Sequence, residues 1–320
     1  MTEPRPGTES GAAAGDRTGT GDPGTARAVD VPAVELTGVG RQFQRRRTSP
    51  FRPAGGVDAL ADVTLSIPQR SRFGVVGESG SGKTTLMRLI AALDRPTTGR
   101  ILVEGNDITG RREKDLRFLR RNLQIVFQDP MASLDPRMRV GNIVAEPLQV
   151  LGRPDIPDTV RRALADVGLD SDAARRFPHQ FSGGQRQRIS IARAIAPGPR
   201  ILIADEAVSA LDVTIRAQIL DLIEDLAARQ QLTLIFVSHD LSVIRRVCDR
   251  VAVLRGGRLV ESGPTEQVYR SPREQYTRDL LAAVPTLQRS LAAARQRSGQ
   301  LPEDHPAQRP DSSDGGGDQR

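Results

Sequence analysis

One stretch decides the fold of this chain: Phe73-Gly74-Val75-Val76-Gly77-Glu78-Ser79-Gly80-Ser81-Gly82-Lys83-Thr84-Thr85. Its first four residues form a short apolar run, which is typical of a buried strand. The run changes directly into glycines, and apolar residues then recur at helical spacing from Leu86 to Leu93. We therefore predict a strand, a glycine-rich loop and a helix over Lys83 to Leu93.

The loop fits the spacing G-x-x-x-x-G-K-[ST], and each of its residues has a chemical use. Its glycines let backbone N–H groups surround phosphate oxygens, and the following helix N-terminus adds partial positive charge. Lys83 provides a point charge for β- and γ-phosphates, and the hydroxyl of Thr84 can ligate Mg²⁺. The bland alternative is a glycine-rich turn, but lysine occurs only at Lys83 and Lys114. We predict a phosphate-binding loop over Gly77–Thr85.

Two further apolar runs end in polar residues. Ile201–Ala204 is followed by Asp205 and Glu206, and Leu234–Val237 is followed by Ser238-His239-Asp240. Ligands of open α/β sheets bind at the carboxyl ends of strands. Asp205 would hold a metal through a water molecule, Glu206 would take a proton from an attacking water, and His239 would donate to a γ-phosphate. The alternatives are a strand that ends in solvent and a structural histidine.

A second possible phosphate cradle lies at Phe181-Ser182-Gly183-Gly184-Gln185, which opens a predicted helix. An ordinary serine N-cap with a glycine turn is the alternative. One nucleotide needs one cradle, so a second cradle is useful if it serves the nucleotide of another subunit. We therefore expect two chains to enclose two nucleotides in head-to-tail arrangement.

The 320 residues divide by composition. Residues 1–30 and 286–320 have little to bury and are predicted to be mostly disordered tails, and 31–285 form one domain. The domain alternates strands and helices. Its runs Ile201–Ala204 and Leu232–Val237 are apolar on both faces, which favours a parallel sheet between helix layers, whereas Val34–Thr37 and Val63–Ile67 alternate with a period of two. The stretch from Val251 to Val260, with glycines at 256 and 257, is predicted to be a hairpin. Residues 130–198 are predicted to be a helical insertion.

Composition also excludes several classes of protein. Cys248 is the single cysteine, so neither an intrachain disulfide nor a cysteine-ligated cluster can form. No apolar run reaches the length of about 18 residues that spans a bilayer. The net charge of +7 suits a polyanion or an anionic surface, but the aromatic content of 3% is low for nucleic-acid stacking. We expect no nucleic-acid partner.

These motifs together resemble the ATP-binding subunit of an ATP-binding cassette (ABC) transporter, over about residues 33–285. Six motifs occur in the order of that family: Walker A at Gly77–Thr85, the Q-loop at Gln128, the signature at Phe181–Gln185, Walker B at Asp205 with the catalytic Glu206, the D-loop at Ser209–Asp212, and the switch His239.

The resemblance implies a P-loop NTPase core with a mainly parallel sheet, an N-terminal antiparallel β subdomain and a helical insertion. It implies ATP and Mg²⁺ as ligands, with Gln128 contacting Mg²⁺ or the attacking water. Asp212 would cross a dimer interface. Phe43 would stack on adenine or, alternatively, pack against the N-terminal sheet, and Arg45–Arg47 would be a solvated basic loop.

Finer features are similar to the oligopeptide/dipeptide importer branch. They are the basic insertion after Arg45, the run from Val126 to Arg137, and the segment from Ser271 to Pro285. This resemblance implies permease subunits, a second ATPase subunit that is identical or paralogous, an extracytoplasmic solute-binding protein, and a location on the cytoplasmic face of the membrane. The chain departs from the branch at Phe181, at Ala207 and in lacking cluster cysteines.

Two other functions remain to be weighed. A soluble ABC ATPase of translation would carry two cassettes, and one of DNA repair would separate Walker A from the signature by long coiled coils. A P-loop small-molecule kinase would leave the cradle at Ser182 and the role of His239 unexplained. We therefore expect an importer's ATPase subunit.

Overall fold

The structure is a computed structural model that describes residues 31–44 and 56–283. The two predicted tails and the basic run Arg45–Arg47 lie outside these residues.

The strands of the described residues are β1 (Val34–Gln44), β2 (Gly56–Ile67), β3 (Arg72–Val76), β4 (Thr98–Val103), β5 (Asn106–Asp107), β6 (Leu123–Val126), β7 (Ile201–Asp205), β8 (Thr233–Ser238), β9 (Arg250–Arg255) and β10 (Arg258–Pro264). The α-helices are α1 (Lys83–Ile90), α2 (Arg117–Asn122), α3 (Pro130–Ser133), α4 (Val140–Val150), α5 (Ile156–Asp166), α6 (Gly183–Ile195), α7 (Val213–Arg229), α8 (Leu241–Val247), α9 (Thr265–Arg270) and α10 (Gln275–Ala282). Short 3₁₀ turns lie at Glu113–Asp115, Ser171–Arg175 and Pro178–Gln180.

The larger sheet has the strand order β10-β9-β3-β8-β7-β6. Its strands β9, β3, β8, β7 and β6 run parallel, and β10 pairs antiparallel with β9. All residues of β7 and β8 are buried, because alternate side chains enter two different cores. Leu202 and Phe236 pack on the face covered mainly by α4–α8, whereas Ile203 and Ile235 pack against α1 and the smaller sheet. This two-sided burial explains why the strands are continuous apolar runs.

The smaller sheet is antiparallel, with the order β2-β1-β4-β5. Its ribbon of β1 and β2 is longer than the sequence pattern indicates, and it pairs Phe43 with Val57 near its far end. The predicted hairpin of Val251–Val260 is present as β9 and β10. The α/β fold with one mainly parallel and one antiparallel sheet is thus observed.

The region between β6 and β7 is helical throughout and comprises α3 to α6 with two 3₁₀ turns. Its helices pack chiefly on one another, and α6 leads through a short turn into β7. Among the helices of the described ranges, none combines the length and apolar character needed to cross a membrane.

The helix predicted over Lys83–Leu93 is shorter than expected, because α1 ends at Ile90. Ala92 has a left-handed backbone (φ 49°), which turns the chain out of the helix. The guanidinium of Arg120 donates to the carbonyls of Ala91 at 2.6 Å and Ala92 at 3.3 Å, which satisfies acceptors near the helix end. Leu93 therefore leaves the core and is 46% exposed.

Candidate active site

The sheet register brings four predicted site segments to one edge. Val76 pairs with Ser238, Val237 with Asp205, and Ala204 with Val126, all in parallel strands. The residues that follow these positions are the glycine-rich loop, His239, Glu206 and the segment to Gln128. Four adjacent strand ends therefore carry the predicted phosphate, proton-transfer and metal ligands.

Two glycines of the loop are required by close approach of other backbone. A Cβ at Gly77 would lie 2.2 Å from the carbonyl oxygen of Leu254, and one at Gly82 would lie 2.6 Å from that of Ala59. Gly82 also has φ 104°. Among the described residues, nothing lies within 4 Å of a Cβ built at Gly80. The loop thus packs against other backbone at Gly77 and Gly82 and is open at Gly80, as a phosphate-binding loop requires.

Lys83 is buried behind this loop. Its Nζ donates to the carbonyl oxygens of Gly77 at 2.7 Å and Glu78 at 2.8 Å. Burial lowers the pKa of the Lys83 ammonium, and the charges of Glu206 and Asp205 oppose that shift. The hydroxyl oxygen of Ser81 is also buried and has no hydrogen-bond partner. The loop therefore holds a cation and an unpaired polar atom that a triphosphate could satisfy.

Asp205 is buried at the end of β7, with 8% of its surface exposed. Burial raises the pKa of this carboxyl, the charge of Glu206 raises it further, and that of Lys83 lowers it. Thr84, the other predicted metal ligand of this region, is exposed, and Thr85 is half-buried. A carboxylate and a hydroxyl both offer oxygen donors, the ligand type that Mg²⁺ prefers. Within residues 31–44 and 56–283, no group of three or more His, Cys, Asp or Glu is placed to hold a metal ion.

Glu206 has an unusual backbone for a non-glycine residue, with φ 47°. Its N–H donates to the carbonyl of Val237 at 2.9 Å, which ties it to β8. Its Oε1 lies 3.2 Å from Nδ1 of His239. The imidazole side chain remains 59% exposed and the carboxylate side chain 20% exposed. The structure thus places a carboxylate–imidazole pair at the ends of β7 and β8, on the sheet edge that carries the glycine-rich loop.

Ser209 links Glu206 to Gln128, a connection that the sequence pattern does not reveal. Nε2 of Gln128 lies 3.3 Å from the hydroxyl oxygen of Ser209, to which it donates. That hydroxyl donates to the carbonyl of Glu206 at 3.0 Å. The only sequence signal is a hydroxyl three residues after the carboxylate. Gln128, Glu206 and His239 therefore form one connected group.

The second cradle is separate from this group. Ser182 caps α6 in a capping box, in which its Oγ accepts from the N–H of Gln185 at 3.3 Å and Gln185 Oε1 accepts from the N–H of Ser182 at 3.0 Å. Gly184 packs against α7, because a Cβ there would lie 2.6 Å from Ile215. Nothing lies within 4 Å of a Cβ built at Gly183. The fold accounts for one glycine of this pair and leaves the other facing open space.

Asp212 and Phe43 have local contacts of their own. The carboxylate of Asp212 caps α7 by accepting from the N–H of Ile215 at 2.9 Å. Phe43 is 43% exposed, and the guanidinium of Arg41 lies 4.5 Å from its ring centroid. Arg41 is itself paired with Asp94 at 2.9 Å. One ring face thus contacts a cation, a feature that the sequence pattern does not show.

Comparison with known proteins identifies the family of this chain. Residues 60–209 match the family model described as ABC transporter. The chain is 43% identical over 276 residues to the oligopeptide transport ATP-binding protein AppF of Bacillus subtilis, covering 84% of each chain. The chain belongs to the ATP-binding proteins of ABC transporters. This ABC protein is also 44% identical to the oligopeptide transport ATP-binding protein OppF of Salmonella typhimurium, over 73% of this chain and 72% of OppF.

A solved structure shows the same fold. The dimeric ATP-binding cassette MJ0796, in a post-hydrolysis state bound to ADP and Pi, covers 72% of this ABC protein with a TM-score of 0.65 and 28% identity, and 98% of its own chain is matched. The predicted family, fold class and ATPase activity are thereby confirmed. The roles of individual residues remain predictions.

We expect Asp205→Asn to stabilise the ligand-free protein at neutral pH. The raised folded-state pKa means that ionising this carboxyl costs folding free energy, so the stability it contributes at low pH is lost as the pH rises through that pKa. The amide carries no such cost, and its thermal midpoint should be a few degrees higher near neutral pH. The advantage should shrink as the pH falls toward the ordinary value of 3.8.

Thermal unfolding over a range of pH values measures this effect, with Asp158→Asn as a control at an exposed carboxylate. An unchanged or lower midpoint for Asp205→Asn would show that burial does not destabilise the charged form.

Proposed function

We propose that this chain hydrolyses ATP to drive the uptake of peptides through separate permease subunits. The observation that carries the proposal is the joining of Lys83, Asp205, the Glu206–His239 pair and Gln128 at four adjacent strand ends. The relatives AppF and OppF are named oligopeptide transport ATP-binding proteins, which supports the importer over a soluble ATPase.

The triphosphate would bind along Gly77–Thr85, with its β- and γ-phosphates near Lys83. The two carbonyls that Lys83 contacts hold the ammonium ready behind the loop, and phosphate oxygens would compete for the same protons. Charge-assisted hydrogen bonds to phosphate are stronger than those to neutral carbonyls. Binding of ATP would therefore redirect Lys83 toward the nucleotide.

Glu206 would position or deprotonate the water that attacks the γ-phosphate. His239, 3.2 Å from Glu206, would orient the carboxylate and donate to the transferring phosphoryl group. Gln128 would contact that water as well, and its link through Ser209 would carry the nucleotide state toward the helical region. Thr84, Gln128 and Asp205 would hold Mg²⁺, which neutralises charge on the phosphates when bound.

A second ATPase subunit, identical or paralogous, would complete each site. Ser182 and Gln185 are exposed, and the space at Gly183 allows close approach of a phosphate to the start of α6. MJ0796 is described as dimeric, which supports this arrangement. Asp212 would lie at the same interface, and Phe43 would stack on adenine with its free face.

The permease subunits would dock on a partly apolar groove of about 410 Å³ between β6 and α4. Leu93, Phe127 and Val150 line it, with exposed fractions of 46%, 38% and 72%. Phe127 immediately precedes Gln128, so a partner seated here would lie next to the active site. The proposed location is the cytoplasmic face of the cell membrane, with a solute-binding protein on the opposite side.

Glu206→Gln should retain ATP binding and lose hydrolysis by about 10²- to 10⁴-fold, because the amide keeps the shape and loses the base. The variant should accumulate as an ATP-bound dimer, which light scattering detects. Glu266→Gln, on the exposed surface pair with Arg245, is the control and should behave as wild type. Full turnover by Glu206→Gln would remove this residue from the mechanism.

Gly183→Ala should impair ATPase activity, whereas Gly184→Ala should impair thermal stability. A methyl at residue 183 has no neighbour within 4 Å among the described residues, so the protein should fold normally but lose ATP-dependent dimerisation and at least tenfold of its ATPase activity. A methyl at residue 184 meets Ile215 and should lower the thermal midpoint. Wild-type turnover by Gly183→Ala would argue against a phosphate at this helix start.

Val150→Glu should abolish association with the permeases while leaving ATP binding intact, because it replaces an exposed apolar side chain of the groove with a charge that a partner would bury. Co-purification with co-expressed permease subunits measures the loss. Val31→Glu, a half-exposed valine outside the groove, is the control. Normal assembly and uptake by Val150→Glu would place the permease elsewhere.

A further inference from the structure

The segment after β10 folds back on the active site. It contains α9 and α10, and Tyr276 lies near the start of α10 with 7% of its surface exposed. The functional roles assigned above use none of its residues. Its contacts nevertheless reach the loop that binds phosphate.

The hydroxyl oxygen of Tyr276 accepts a hydrogen bond from the backbone N–H of Glu78, at a long distance of 3.4 Å. The carbonyl of the same residue, Glu78, accepts from Nζ of Lys83 at 2.8 Å. Glu78 thus contacts the tyrosine through its amide and the phosphate-binding lysine through its carbonyl. A shift of this residue would move an acceptor that holds Lys83.

Tyr276 is itself held in place from the neighbouring strand. The guanidinium of Arg255, the last residue of β9, lies 4.7 Å from the tyrosine ring centroid. Two residues later, the N–H of Gly257 donates to the carbonyl of Ser81 at 3.0 Å. The turn that carries Arg255 therefore contacts the other half of the same loop.

The start of α10 is anchored as well. The carboxylate of Glu261 in β10 accepts from the N–H groups of Arg273 at 2.9 Å and Glu274 at 3.3 Å. These two bonds fix the chain immediately before Tyr276. The backbone just before Tyr276 is thus held at Arg273 and Glu274, which places the tyrosine hydroxyl within reach of the N–H of Glu78.

We propose that Tyr276 is a positioning residue for ATP, which fixes Glu78 and through it the resting place of Lys83. This inference rests on the proposed function, because it assumes that Gly77–Thr85 binds the triphosphate. It assigns to the C-terminal segment a direct part in nucleotide affinity. The competing role is packing of α10 alone, which would affect stability and leave the loop unchanged.

The test is Tyr276→Phe in the full chain, which removes the hydroxyl and keeps the ring beneath Arg255. Hydrogen exchange at the Glu78 amide, followed by NMR in the ligand-free protein, should become several-fold faster. The Kd for ATP should rise roughly threefold, the effect of one neutral hydrogen bond. The kcat at saturating ATP should stay at the wild-type value, because the catalytic groups are unaltered.

Tyr269→Phe is the matched control, since it removes the hydroxyl of the other tyrosine of the chain, which donates to the carbonyl of Leu241. Its Kd for ATP and its Glu78 exchange should equal those of wild type. Arg255→Met is a second variant that leaves the hydroxyl in place and removes the cation from the ring. It should shift both readings in the same direction as Tyr276→Phe and by less.

Unchanged Glu78 exchange and unchanged Kd in Tyr276→Phe would overturn the proposal, as would a lower thermal midpoint with wild-type ATP affinity. Failure of the wild-type chain to bind ATP is a different result. It would overturn the proposed function, and the positioning role with it, whatever the exchange at Glu78.

Discussion

Parallel pairing of β3, β8, β7 and β6 fixes the distance between chemical groups that are far apart in sequence. The central strands β7 and β8 are buried on both faces, so a slip in their register by one residue would exchange the side chains of two cores. Packing therefore enforces the register, and the register aligns Val76, Ser238, Asp205 and Val126. The active site follows from the core in this sense: its residues stand where the strands end.

The charges at this edge depend on one another. Lys83 is buried, and burial lowers the pKa of its ammonium, while the nearby carboxylates counteract that effect. Asp205 has the opposite problem, since burial and Glu206 raise the pKa of its carboxyl and Lys83 lowers it. An ATP phosphate group brings further negative charge, which Lys83 can offset and Asp205 cannot. A cation bound next to Asp205 would stabilise its carboxylate, which burial destabilises in the ligand-free protein.

The sequence was sufficient to predict the motifs, because each lies within a few residues of a strand end and its chemistry depends on local spacing. It predicted the hairpin at Val251–Val260 and the two-faced burial of β7 and β8 for the same reason. It was wrong about the end of α1, which depends on Arg120, a residue about 30 positions along the chain.

The contact of Tyr276 had no sequence signal, and the contacts of Ser209 had only the hydroxyl three residues after Glu206. The hydrogen bond between Tyr276 and Glu78 joins residues 198 positions apart, and no periodicity encodes such a contact. The backbone of Glu206 was equally hidden, since its left-handed φ is imposed by neighbouring strands on a residue type that rarely adopts it. Long-range packing, which only the folded chain specifies, decides these features.

The capping box of Ser182 and Gln185 stabilises the first turn of α6. Its 13 residues span about 20 Å, and a tilt of roughly 10° at the C-terminal end carries the N-terminal end through about 3 Å. A displacement of that size is enough to break or form a hydrogen bond. A rotation of α6 about its C-terminal end, a few residues before β7, would therefore be enough to move Ser182 into or out of reach of a neighbouring molecule.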